Sequence, residues 1–111
     1  MRSHGFAPVA RPDARVLVLG SLPGQVSLRE RQYYAQARND FWKIMGALVG
    51  ASPESDYADR LQALKARRIA LWDVCASAQR PGSLDASIRH ATVVANDFAT
   101  FFRTHPKIRL I

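Results

Sequence analysis

Apolar residues in this chain fall into a few unbroken runs separated by stretches of helical spacing. Val16-Leu17-Val18-Leu19 is an aliphatic run closed by Gly20-Ser21-Leu22-Pro23-Gly24. A short run without polar alternation, bounded by Gly and Pro, predicts a strand buried on both faces, the habit of parallel sheets. Ile69 to Ala76 is a second such run, interrupted by Asp73, and Ile108 to Ile111 begins a third. Between the first two the period changes. Phe41, Ile44, Met45 and Leu48 recur at helical spacing after Asn39-Asp40, either of which can cap, and Gly50 ends the segment. Ser52-Pro53-Glu54 predicts the next helix start, with Ser52 as cap and Tyr57, Leu61 and Leu64 on one face. Ser27-Leu28-Arg29-Glu30 fits an S-x-x-E capping box and predicts a short helical turn. Asn96-Asp97 predicts a last helix that carries Phe98, Phe101 and Phe102 and stops before His105-Pro106. A strand, helices and a strand form a right-handed crossover, so the second strand is expected parallel to the first. Residues 1–14, with Gly5, Pro8, Pro12 and no period, are expected to be an irregular lead-in to one unit over 15–111.

Length agrees with one unit, since 111 residues suffice for one core and not two. No apolar stretch approaches the ~20 residues that span a bilayer, and the first residues lack the apolar segment of a secretory signal. A cytoplasmic protein with no membrane partner is expected. Cys75 is the only cysteine, which excludes an internal disulfide and any multi-cysteine metal site, and its apolar neighbours predict burial. His4, His90 and His105 are scattered, so neither a metal nor another cofactor is expected. Sixteen basic against nine acidic side chains give a formal charge of +7, which favours a polyanion as partner. These charges are dispersed, unlike those of a disordered basic arm. A small-molecule nucleotide module is the weakest reading, because neither G-x-G-x-x-G nor a Walker pattern occurs.

In open α/β sheets ligands lie beyond the carboxyl ends of the strands, so the residues after Leu19 are the expected floor of a site. The connection from Ser21 to Arg38 is far longer than the ~2–6 residues usual in α/β units, which is the mark of a functional loop. Tyr33, Tyr34, Phe41 and Trp42 concentrate beside it. Asp73 near the end of the second strand reads first as a structural carboxylate and second as a catalytic one.

Four stretches carry a family resemblance. V-L-V-L-G-S-L-P-G at Val16 to Gly24, Y-Y-A-Q-A-R-N-D-F-W-K-I-M at Tyr33 to Met45, I-A-L-W-D-V at Ile69 to Val74 and P-G-S-L-D at Pro81 to Asp85 resemble the uracil-DNA glycosylase superfamily, most closely its hypoxanthine (deoxyinosine) branch. The resemblance covers nearly the whole chain. It implies a three-layer α/β/α fold with a short parallel sheet, and a monomer that hydrolyses the N-glycosidic bond of a deaminated base flipped out of double-stranded DNA. It also implies Asn39 as the catalytic, water-orienting residue. Gly20, Ser21, Leu22, Pro23, Gly24, Tyr34 and Phe41 are then the base- and DNA-binding set, with Phe41 as the stacking platform. Two positions depart from the pattern. Leu22 stands where related branches place an Asp or Asn, and Gln36-Ala37 stand where His-Pro is common. A later motif of the superfamily falls beyond Ile111, so residues 15–111 are expected to be the N-terminal part of one domain. Uracil or mismatch specificity, and a DNA-binding fragment without catalysis, are the alternatives.

Overall fold

The computed structural model describes residues 2–111; Met1, at the start of the expected lead-in, lies outside them. Strands β2 (Val16–Gly20) and β3 (Ile69–Asp73) pair in parallel, in register from Val16 opposite Ile69 to Gly20 opposite Asp73. Both strands therefore end level, with Gly20 and Asp73 side by side at the carboxyl edge. On the free side of β2, Leu110 bridges Val16 in parallel, and its carbonyl accepts the Leu17 N–H at 2.9 Å. The expected third strand thus starts against β2. On the free side of β3, Val9 pairs antiparallel with Leu71.

Alternation along these two strands sends side chains to opposite faces, and each face is covered. Leu17, Ala70 and Trp72 meet Phe101 and Phe98 of helix α4 (Phe98–Thr104). Leu71, with Val18 and Ile69, meets Trp42 of α2 (Phe41–Val49) and Leu64 of α3 (Tyr57–Ala66). Helices on both sides of a small parallel sheet make the three-layer α/β/α arrangement. The helix ends follow ordinary chemistry. Gly50, at φ +79°, closes α2 in the left-handed region, and Asp97 accepts the Thr100 N–H at 3.0 Å at the head of α4.

Four local expectations are corrected. The lead-in is not wholly irregular, because Arg2–His4 forms β1, antiparallel to β4 (Cys75–Gln79). Its pairing is made by backbone and by Arg2, which donates to Ser77 Oγ and to the Thr92 carbonyl, so no hydrophobic period announces it. The apolar run Ile69 to Ala76 is two strands, broken at Val74. Beyond Asp73 the amides of Val74 and Cys75 still donate to Gly20 and Ser21, after which β4 turns to pair with β1 and with β5 (Val94–Ala95). Ser27 does not cap. Helix α1 runs Gln25–Glu30 with Gly24 at its head, and buried Ser27 accepts the Ala35 N–H instead. The helix expected from Ser52 begins at Tyr57, because Ser52 spends its hydroxyl on Glu54 in a separate turn. No helix of the described residues is long and apolar enough to cross a membrane.

Candidate active site

The level ends of β2 and β3 form the floor of a cavity of about 330 Å³, within the range of small-ligand pockets. Gly20 through Ser27 supply one wall, Tyr33, Tyr34, Gln36 and Asn39 a second, and Asp73, Ser83 and Asp85 the remainder. Of the eight residues singled out from sequence, seven line this space: Gly20, Ser21, Leu22, Pro23, Gly24, Tyr34 and Asn39. Phe41 does not. Tyr34 stacks on it with ring centroids 4.0 Å apart and an interplanar angle of 22°. Phe41 therefore backs the tyrosine ring that faces the cavity, and Tyr34 is the aromatic surface an occupant meets first. Tyr34 holds that position with φ +55°, a left-handed conformation uncommon for a residue with a side chain.

Asn39 is exposed at the rim, and its Oδ1 accepts the Phe41 N–H at 2.8 Å. Only the oxygen of a carboxamide can accept, so this bond sets the orientation of the group. One Oδ1 lone pair and the Nδ2 donors remain available. Asn39, one residue before the N-cap position Asp40, thus satisfies the first amide of α2 while lining the cavity.

The loop over the floor is shaped by the turn at 80–85. Arg80, buried, donates to the carbonyls of Leu22 and Pro23 at 3.3 and 2.5 Å. Ser21 Oγ donates to Asp85 at 2.7 Å, and Ser83 Oγ accepts the Gln25 N–H at 2.9 Å. With the loop carbonyls turned toward Arg80, the N–H groups of Ser21, Leu22 and Gly24 meet no protein acceptor among the described residues. Leu22 itself packs with Cys75, Ala78 and Ile88, so its aliphatic side chain completes a small core. The side chain at that position therefore supplies packing and no polar group.

Asp73 lies on the floor, 5% exposed, and neither carboxylate oxygen has a hydrogen bond or ion pair among the described residues; Oδ2 is fully buried. A buried polar atom left this way costs about 1–3 kcal/mol, and more when charged. Burial first, then the neighbouring charge of Asp85, push its pKa up to about 6 against the opposing pull of Arg80. Burial and Asp73 push Tyr34 up to about 12. Gly20 lacks a side chain for a reason, since a Cβ there would collide with Asp73 Oδ1. Sequence reasoning ranked Asp73 as structural and passed over Arg80. The pointer to Asp73 was a lone carboxylate ending an apolar strand, level with a glycine on its neighbour.

A second cavity of about 220 Å³ shares Tyr34, Gln36 and Asn39 with the first and adds Lys43, Trp42 and Arg60. Its wall is braced by the Arg60 guanidinium, 4.8 Å from the Trp42 ring centre.

The α/β/α layering places an aromatic-walled cavity at the carboxyl ends of the strands, where ligands of open α/β sheets lie. The profile of the uracil DNA glycosylase superfamily matches residues 7–108, and the chain belongs to that superfamily of DNA glycosylases. Two curated relatives, the hypoxanthine DNA glycosylases of Methanosarcina barkeri and Methanosarcina acetivorans, are each 39% identical over 112 residues. Each alignment covers all of this chain and 70% of the relative. The solution NMR structure of a candidate uracil DNA glycosylase from Methanosarcina acetivorans superposes with a TM-score of 0.82 at 37% identity. It covers 99% of this chain and 68% of that one.

Proposed function

We propose that the chain excises hypoxanthine from deoxyinosine in double-stranded DNA, acting as a cytoplasmic monomer. The single observation that carries the reading is the joint placement of Tyr34 and Asn39 on one cavity beyond the strand ends, in a chain related along its whole length to two proteins named for hypoxanthine. A base in a duplex is out of reach, so it is extruded and enters this cavity, where Tyr34, backed by Phe41, stacks on it.

Hydrolysis then needs a water aimed at the sugar carbon and relief of the charge that collects on the departing base. Asn39 orients that water through the lone pair that Phe41 leaves open. A carboxamide does not titrate, so it positions the nucleophile without deprotonating it. The free N–H groups of Ser21, Leu22 and Gly24 are the donors for charge on the departing base, and Pro23 with Arg80 keeps their loop stiff. Lys43 and Arg60 along the second cavity are the cations for the flanking phosphates.

The test is excision from duplexes carrying deoxyinosine, or deoxyuridine opposite guanine, followed by alkaline cleavage of abasic sites. The reading predicts strand scission at deoxyinosine at a rate at least ten times that at deoxyuridine. Faster scission at deoxyuridine would favour the uracil-directed alternative, and binding without scission at either would reduce the chain to a DNA-binding role.

A further inference from the structure

We infer that Asp73 reads the Watson–Crick edge of the extruded base, its carboxylate accepting the N1–H that hypoxanthine carries and adenine lacks. The inference rests on the glycosylase reading and deepens it, by naming the group that tells a deaminated purine from its parent.

The geometry supplies the argument. Asp73 ends β3 level with Gly20, on the cavity floor, while Asn39 is at the exposed rim. A purine whose glycosidic bond is held at the rim presents its far edge, N1 and C6, to the floor. The floor offers Asp73 Oδ1, while Oδ2 is fully buried behind it, and no donor among the described residues meets either oxygen. Asp13 shows the contrast, because one of its oxygens is also without a partner but the other pairs with Arg11 and Arg68. The nearby cation Arg80 gives its Nη donors to the Leu22 and Pro23 carbonyls and lies 3.6 Å from Asp85. Gly20 clears the space in front of Oδ1, where any larger residue would collide. A buried acceptor that no protein donor meets, facing a cavity, is complementary to an occupant that brings an N–H. Hypoxanthine does so at N1. Adenine instead turns a lone pair toward the carboxylate, and two acceptors face each other without a proton.

Protonation changes this. Asp73 is faced by Asp85 and Arg80 from the 80–85 turn, by Tyr33 and Tyr34 from the long connection, and by Cys75 from β4. The tyrosines and the thiol are all shifted upward, so they stay neutral where Asp73 titrates. Below a pH of about 6 the carboxyl gains a proton that it can offer to N1 of adenine, and the rejection of adenine weakens.

The test reads binding apart from catalysis. Duplexes carry a 2′-fluoroarabino nucleotide of hypoxanthine or adenine opposite thymine, whose glycosidic bond resists hydrolysis, and affinities are taken by fluorescence anisotropy. The wild-type chain is expected to prefer hypoxanthine at least tenfold at pH 7.5, and at least threefold less strongly at pH 5. Asp73→Asn has nearly the same shape but can turn either an acceptor or a donor to N1. It should keep its affinity for undamaged duplex while its preference falls below threefold and no longer varies with pH. A wild type without preference, or an Asp73→Asn variant that keeps the tenfold preference, overturns the inference. Failure of deoxyinosine excision with the binding preference intact would remove the catalytic reading alone.

Discussion

Arg80 donates through Nη2 to the Pro23 carbonyl at 2.5 Å from a side chain that is 1% exposed, tying the turn after β4 to the loop after β2. This bond, with its companion to Leu22, decides which way the loop's peptide groups face. Arg80→Met leaves two loop carbonyls without a donor, at about 1–3 kcal/mol each when they are buried. Urea unfolding should show a loss of about 2–4 kcal/mol, and excision should slow as well. Arg80→Lys should recover less than half of the stability, because one ammonium does not reproduce the guanidinium fork. A stable and fully active Arg80→Met would show that the loop holds its own shape.

Tyr34 stacks on Phe41 and lines the cavity, so in the proposed reading the tyrosine is the surface that the base meets. Base–aromatic stacking is worth about 1–3 kcal/mol, so Tyr34→Ala should slow single-turnover excision roughly 5- to 150-fold. Tyr34→Phe should stay within about threefold, since the hydroxyl makes no hydrogen bond among the described residues and the ring carries the contact. The comparison is made at saturating enzyme. A larger loss in Tyr34→Phe than in Tyr34→Ala would mean that the hydroxyl, and not the ring, is what matters.

Asp73 also predicts how stability responds to pH. Its folded pKa, about 6, lies above the ordinary carboxylate value of 3.8. An acid raised on folding favours the folded state when protonated, so its destabilising effect is absent below about pH 3.8, grows through the interval, and is complete above about 6. Asp73→Asn removes the buried charge. It should raise stability on the order of 2 kcal/mol at pH 7.5, and the gain over wild type should vanish toward pH 4. Thermal melts of both proteins across that range check it. A variant less stable than wild type at pH 7.5 would mean that the carboxylate is satisfied in a way the geometry does not reveal. A gain in stability together with a loss of base preference is what a strained functional residue produces.

What could be read from sequence was local. The parallel pairing of β2 and β3, the extent of α2 and α4, and the loop after Leu19 follow from runs, periods and caps that each segment carries within itself. Asn39 was legible because its spacing to Phe41-Trp42 belongs to one short stretch. Strand β1 was not, since its pairing comes from backbone bonds to a strand more than seventy residues away. The break at Val74 is equally silent in an apolar run, because the change of partner strand, and not the residue type, ends β3. Tyr34 covers Phe41 only once a left-handed turn folds the connection back. Asp73 and Arg80 share this property. What marks the first is the lack of any partner, and what marks the second is two carbonyls nearly sixty residues earlier. Neither relation exists before the chain is folded.

The central claim is that the carboxamide of Asn39, held by the Phe41 amide at the mouth of the cavity, aims the attacking water. The direct measurement is the single-turnover rate of hypoxanthine release from a deoxyinosine duplex, for the wild-type chain and for Asn39→Ala, with unfolding curves to confirm that both are folded. The account predicts a fall of roughly 100-fold or more in the variant, the scale of a lost catalytic positioning group, with binding to undamaged duplex unchanged. Release by Asn39→Ala at the wild-type rate would contradict it.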